Sequence, residues 1–236
     1  MLNIAHRGAS GYAPENTRAA FEQAIEMGAD GIETDVRRTS DGELVLMHDM
    51  TVSRTTNGNG PVADHTLAEL RTLDAGSWFS DDFAGDRIVT LDELIADFSP
   101  RRPLILEIKD PIATAPVIDT IRAAGIGNRV QVTSFDWSAL LKATSLDPEL
   151  AYGFLSPVFD NDIIRRCARR GFAQICPNVD TLTGPLVAEA HEAGLVVRAY
   201  GVVNRKQIDR LFATGADGAT VNWPDWIPDW SDEPSR

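Results

Sequence analysis

What this chain lacks first is a long apolar run. No stretch approaches the roughly 18 residues that a membrane span requires, and no basic-then-apolar leader precedes Ile4. A cytoplasmic protein without stable membrane insertion is the expectation. Cysteine is nearly missing as well: Cys167 and Cys176 form no metal-type cluster, and reduced thiols suit an intracellular protein. Positive charge is also short. With 22 basic and 35 acidic residues the net charge is −13, which argues against coating nucleic acid or an anionic membrane. A small-molecule partner remains, and any phosphate on it would need positive charge gathered locally. A monomer or a homodimer would serve equally.

What is present is a rhythm. At 236 residues and 43% hydrophobic content the chain can bury one large core, so 1–236 is read as a single domain. Short apolar strands begin near Asn3, Gly31, Leu104, Arg129, Leu150, Phe172, Leu195 and Ala219, with helical periodicity between most of them. Gly28, Gly125, Gly171, Gly194 and Gly215 stand where helices should close. Eight strand–helix units predict an α/β fold, a closed (β/α)8 TIM barrel. Two units nearly repeat, GADGIETD from Gly28 and GADGATVN from Gly215, so Glu33 and Thr220, like Asp35 and Asn222, should point the same way.

The interval from Gly31 to Leu104 is too long for one unit. ETDVRRTSDGELVLMHD carries Asp41-Gly42 between two strand-like runs, which predicts an antiparallel hairpin. With Asp41 and Gly42 as the two turn residues, Asp35 would lie opposite His48. Residues from about 50 to 87 then read as a small cap inserted after the second strand, turning at NGNGP and containing a helix opened by Thr66 and Glu69. Thr90 and Glu93 should open the helix that resumes the barrel.

In such a barrel chemistry gathers where strands end. Strand one ends in His6-Arg7, strand two in Glu33-Thr34-Asp35, the hairpin returns His48-Asp49, and LILEIKD offers Glu107 and Lys109. Three carboxylates, Glu33, Asp35 and Glu107, would repel unless a cation sat between them. All-oxygen ligation favours one hard divalent ion, Mg2+ or Ca2+, with Mn2+ also possible and Zn2+ disfavoured. Two histidines, an arginine and a lysine around that ion supply what phosphodiester cleavage needs: charge for the nonbridging oxygens, a base and an acid. Arg7 would clamp phosphate, and the ASGYAPENT turn would aim a helix start at the same mouth.

The blocks AHRGASGYAPENTRAAF, DGIETDVRRTSDGELVLMHD and LILEIK, in this order, resemble the signature blocks of the glycerophosphodiester phosphodiesterases, and the likeness runs almost the whole chain. It implies a metal-dependent hydrolase of deacylated phospholipids, a phosphoric diester hydrolase of lipid and glycerol metabolism that releases glycerol 3-phosphate and an alcohol. It implies metal ligands Glu33, Asp35 and Glu107, general acid/base residues His6 and His48, phosphate contacts Arg7 and Lys109, and support from Glu15. By analogy with related phosphodiesterases, the substrate's own glycerol hydroxyl attacks and a cyclic phosphate follows. The chain departs from the pattern late: Tyr200 replaces a usual Trp, and Val221-Asn222 replaces a Thr-Asp pair, which touches the leaving-group pocket.

Other readings stand beside this one. A lysophospholipase D would need a wider apolar mouth, for which Trp78, Phe79 and Phe83 of the cap are candidates. A metal-dependent sugar isomerase or aldolase barrel uses similar ligands, and a silent metabolite-binding barrel would have lost one of them. His65 and His191 read as solvent-facing, and Arg37 and Arg38 as a solvated hairpin face. The tail WPDWIPDW reads as an amphipathic segment packed on the barrel.

Overall fold

In a computed structural model, which describes residues 1–227, eight parallel strands close into a barrel ringed by helices. The elements are β1 (Leu2–His6), α1 (Arg18–Glu26), β2 (Gly31–Arg38), β3 (Leu44–Leu46), α2 (Leu67–Leu70), α3 (Leu91–Phe98), β4 (Leu104–Ile108), α4 (Thr114–Ala124) and β5 (Val130–Ser134). They continue with α5 (Trp137–Leu146), β6 (Ala151–Ser156), α6 (Asn161–Arg169), β7 (Gln174–Pro177), α7 (Gly184–Glu192), β8 (Val196–Val202), α8 (Arg205–Thr214) and β9 (Gly218–Val221). Around the barrel the order is β1, β2, β4, β5, β6, β7, β8, β9, and β9 pairs back onto β1. The (β/α)8 expectation holds. Among the described residues no helix is long and apolar enough to cross a membrane.

Parallel strands are covered on both faces, so they read as apolar runs, and LILEI of β4 is buried at every position. The main core lies between barrel and helices. In α3, Leu91, Leu94, Ile95 and Phe98 fall on one face at helical spacing and are all buried. A Thr90/Glu93 capping box starts this helix, and Phe98 meets Phe21 of α1 edge to face at 5.4 Å. Each such burial is worth about 1.5–3 kcal/mol. The five helix-closing glycines all have φ between 66° and 78°.

The interior is less uniform. Arg198 of β8 is 1% exposed inside the barrel and donates to Gln174 Oε1 at 3.1 Å, to Thr220 Oγ1, and to Cys176 Sγ at 3.4 Å.

The hairpin forms, with a register one residue from expectation. Val36 faces Leu46, and the Met47 amide donates to the Asp35 carbonyl at 2.9 Å, so Met47 and not His48 lies opposite Asp35. The loop holds three residues, Ser40, Asp41 and Gly42: the Thr39 amide donates to the Glu43 carbonyl at 2.9 Å, and Gly42 takes φ 97°. Thr39 Oγ1 donates to Asp41 Oδ1 at 2.6 Å, and the Leu67 amide donates to the same carboxylate, locking the longer turn. β3 ends at Leu46, so His48 lies beyond it and is freed from strand parity.

The segment that follows has its own small core of Val45, Met47, Val52, Val62, Leu70, Ala75 and Ile88, and Thr66 and Glu69 form their capping box. Trp78, Phe79 and Phe83 pack on one another edge to face.

At the exit of β1 the chain bends sharply through Arg7 (φ 57°) and Gly8 (φ 80°). A Cβ on Gly8 would stand 2.5 Å from the Ala20 backbone carbonyl carbon. Gly8→Ala should therefore lower stability by about 2–4 kcal/mol, read from the urea midpoint; a loss under about 0.5 kcal/mol would show that α1 shifts freely.

Candidate active site

The C-terminal ends of the strands surround a cavity of about 260 Å3. His6, Arg7, Glu33, His48, Glu107 and Lys109 form its charged side. Phe135, Leu155, Tyr200, Val202 and Val203 form an apolar side, with Thr133, Arg198, Thr220 and Asn222 also on the wall. Phe135 and Tyr200 meet edge to face at 5.3 Å.

Local backbone explains the charged side. The left-handed turn at Arg7 points its amide at Glu33 Oε2, 3.1 Å away. The Asn16 amide donates to the Arg7 carbonyl at 3.0 Å, and Asn16 is itself left-handed at φ 58°. Its side-chain amide donates to Asp35 Oδ2 at 3.0 Å while its carbonyl accepts from Thr34 Oγ1 at 2.6 Å. Two non-glycine residues in this region mark stored strain held by their surroundings. Asn16 was not singled out from the sequence; the available signal was an Asn, tolerant of that conformation, directly before the N-cap Thr17.

Glu33 and Asp35 alternate along β2, and Asp35 lies beside Glu107 of β4 in register. Ligand oxygens of all three come within 4.8 Å of one another, and all three residues are buried. Burial, then Asp35 and Glu107, push Glu33 well above the usual carboxylate range. Burial and Asp35 push Glu107 up to about 7 against the opposing Lys109. Burial also pushes Asp35 up, but Arg7, Lys109 and the histidines outweigh it and hold it low. The cations sit close: Arg7 Nε is 3.1 Å from Asp35 Oδ2 and Lys109 Nζ 2.8 Å from Glu107 Oε1. Asp35 Oδ1 is buried without a hydrogen bond. An unsatisfied carboxylate oxygen among three buried acids fits a hard divalent cation.

The two histidines differ in partner. His6 Nδ1 lies 2.6 Å from Asn222 Oδ1 of the chain after β9, which places the proton on Nδ1. Burial and the adjacent Arg7 lower its pKa to about 4. His48 Nδ1 lies 2.7 Å from Asp49 Oδ1. Burial lowers His48 too, with Asp35 and Asp49 opposing. Arg37 donates to the His48 carbonyl through Nε (3.0 Å) and Nη2 (2.7 Å), so it braces that residue instead of forming a solvated face.

Other sequence expectations separate here. Glu15 stays off the cavity wall and bonds Arg7 Nη1 at 2.9 Å. Trp78, Phe79 and Phe83 do not line the cavity; its apolar side comes from β6 and β8 and the loops that follow β5 and β8. His65 bonds the Asn59 carbonyl, and His191, on the exposed face of α7, bonds Asp217. Trp223 stacks on Trp226 at 4.3 Å, and Trp226 lies under Arg205. Trp230 lies outside the described residues.

Residues 6–226 match the model of the glycerophosphoryl diester phosphodiesterase family. The chain is 37% identical over 232 residues to a glycerophosphodiester phosphodiesterase of Caldanaerobacter subterraneus, covering 96% of both. An Oleispira antarctica phosphodiesterase, solved in complex with the product sn-glycerol-3-phosphate, superposes with TM-score 0.89 at 30% identity over 98% of this chain and 96% of that one. A glycerophosphodiester phosphodiesterase structure from Agrobacterium tumefaciens gives TM-score 0.84 at 32% identity, covering 96% and 98%.

The raised glutamates give a pH signature. Lowered histidines add stability only as pH climbs to the ordinary histidine range, so above pH ~6.5 they are neutral in both folded and unfolded chains. Glu33 and Glu107, both raised in the fold, contribute stability that is full below the ordinary carboxylate range and is lost as pH rises through their folded pKa, about 7 for Glu107. In chelator, the melting temperature should fall from pH ~6.5 to ~8, and Mg2+ or Ca2+ should reverse the fall. Glu107→Gln should flatten the slope; a parent with a flat profile would refute the strained cluster.

Proposed function

Because this chain belongs to the glycerophosphoryl diester phosphodiesterase family and so is a phosphoric diester hydrolase, we propose that its cavity hydrolyses deacylated phospholipids with a divalent ion and two histidines. The observation that carries this is the buried triad of Glu33, Asp35 and Glu107 with Arg7 and Lys109 against it and two histidines on the same cavity wall. Family membership sets aside the sugar isomerase or aldolase and the silent binder.

Glu33, Asp35 and Glu107 would hold the ion, which supplies positive charge for a nonbridging oxygen and for the attacking hydroxyl. Arg7 and Lys109 present donors to the phosphate, each kept in place by a carboxylate it already touches. His6, neutral with its proton on Nδ1, has a free Nε2 to take the proton of the attacking glycerol hydroxyl. His48, whose burial is opposed by the carboxylates of Asp35 and Asp49, is the ring assigned as proton donor, and it gives its proton from the minor imidazolium population. As the P–O bond to the alcohol breaks, the His48 Nε2 proton goes to the leaving oxygen. Opening of the cyclic phosphate by water reverses the two roles and yields glycerol 3-phosphate.

Tyr200 and Phe135 shape the apolar wall against which the leaving alcohol would rest. Phe135 is 44% and Val203 57% exposed at that wall, an observation that makes lysophospholipids the second substrate class to offer. Asn222, standing where the family pattern has an Asp, leaves His6 with an uncharged partner.

Purified protein should release glycerol 3-phosphate from glycerophosphocholine or glycerophosphoethanolamine, stop in EDTA, and resume with Mg2+ or Ca2+. His6→Ala or His48→Ala should cut turnover by about 10²–10⁴-fold with the fold intact; near-normal turnover removes that histidine from the mechanism. Glu33→Gln should raise the metal concentration needed for half-maximal rate. No release from either substrate with any metal, but release from lysophospholipids, would move the function to the second class.

A further inference from the structure

One charged side chain near the mouth is used by neither binding nor acid/base chemistry above. Arg54 lies in the segment after β3, its backbone held between buried neighbours: Val52 and Thr55 are inside the small core region, and Thr56 Oγ1 donates to the Val52 carbonyl at 2.7 Å. From there the guanidinium grips two carboxylates at once. Toward Asp49 it donates from Nε to Oδ2 at 2.7 Å and from Nη2 to Oδ1 at 3.1 Å. Toward Glu15 it donates from Nη1 to Oε2 at 2.8 Å and from Nη2 to Oε1 at 2.7 Å.

Both carboxylates stand behind the cavity wall and touch residues that line it. Asp49 Oδ1 is the oxygen beside His48 Nδ1, and Glu15 Oε1 is the oxygen bonded to Arg7 Nη1. Arg7 in turn reaches Asp35. His48, Asp49, Arg54, Glu15, Arg7 and Asp35 thus form one unbroken line of charge-assisted contacts that runs from His48 to the buried acids. Only a planar guanidinium can hold both carboxylates in paired contacts; an ammonium is a point charge.

We propose that Arg54 is a positioning residue for the leaving-group step: it fixes the Asp49 carboxylate against His48 Nδ1, so that the His48 Nε2 proton is aimed at the departing alcohol. The side chain is 43% exposed, so the pair contributes little to stability by itself; its effect lies in orientation. Without Arg54, Asp49 is free to rotate away from the ring. The proposal rests on the acid role given to His48 above.

The test compares two leaving groups. Choline departs from glycerophosphocholine as an alkoxide that must be protonated, whereas 4-nitrophenolate departs from glycerol 3-(4-nitrophenyl phosphate) as a stabilised anion that needs no proton. In a single turnover Arg54→Met should slow choline release from glycerophosphocholine by about 10–100-fold and leave nitrophenolate release from the nitrophenyl ester within about threefold, with the affinity for both little changed. Arg54→Lys should fall between Met and parent, and Asp49→Asn should show the same selective loss. If Arg54→Met does not fold, the Lys and Asn variants carry the comparison. Equal losses on both substrates, or none on glycerophosphocholine, would overturn the positioning role while the parent's activity stands. A parent that cleaves neither ester overturns the functional reading itself, and this proposal with it.

Discussion

Three carboxylates within 4.8 Å of one another, all buried, form the constraint around which the upper half of this barrel is organised. Left alone they would repel strongly in a medium that screens poorly. The fold answers with the Arg7 amide and guanidinium, the Lys109 ammonium and the Asn16 side-chain amide, each brought from a different strand end or turn. The left-handed residues at Arg7 and Asn16 follow from the same demand, since the turn after β1 must bend sharply enough to bring its donors onto β2. The buried Arg198 beneath adds a fixed positive charge that favours an ionised Glu33. Such a cluster is costly as pure structure, and its place at the strand ends fits the cation site proposed above.

The two histidines show how one cavity makes unlike groups from like side chains. His6 is held by an amide oxygen and His48 by a carboxylate, and the second is itself gripped by Arg54. The amide partner leaves the first ring uncharged, whereas the carboxylate partner favours the protonated form of the second. The barrel supplies the first arrangement from its opening and closing strands. The inserted segment supplies much of the second, so the setting of His48 depends on a piece of chain outside the barrel repeat.

Much of the fold could be read in advance because parallel strands are covered on both sides and therefore appear as short apolar runs, with glycines punctuating the helix ends. The residues standing at strand ends were readable for the same reason. The hairpin register was not: Asp41-Gly42 suits a two-residue turn and also the last part of a three-residue one, and the choice was made by the distant Leu67 amide. Asn16 and Arg54 escaped notice because key partners, Asp35 for the first and Glu15 for the second, lie 19 and 39 residues away and their value rests on conformation, not on type. Trp78, Phe79 and Phe83 misled because composition reveals that aromatics cluster but not which way the cluster turns. Arg198 is the plainest limit, since a cation on a strand ordinarily reads as facing water.

The contact between His6 and Asn222 spans 216 positions of sequence. That span sets the order in which the molecule can acquire its chemistry. A chain emerging from the ribosome presents its first histidine at once, yet the oxygen that fixes the ring's tautomer exists only after the eighth barrel strand has been made and has docked beside the first. Closing so long a loop is the slowest and most cooperative kind of folding event. On the mechanism proposed above a partial barrel would be catalytically mute: the histidine, the arginine and the acids would be present, but the ring proposed to accept a proton would not yet be set. Hydrolysis on that reading belongs to the closed circle and to no arc of it.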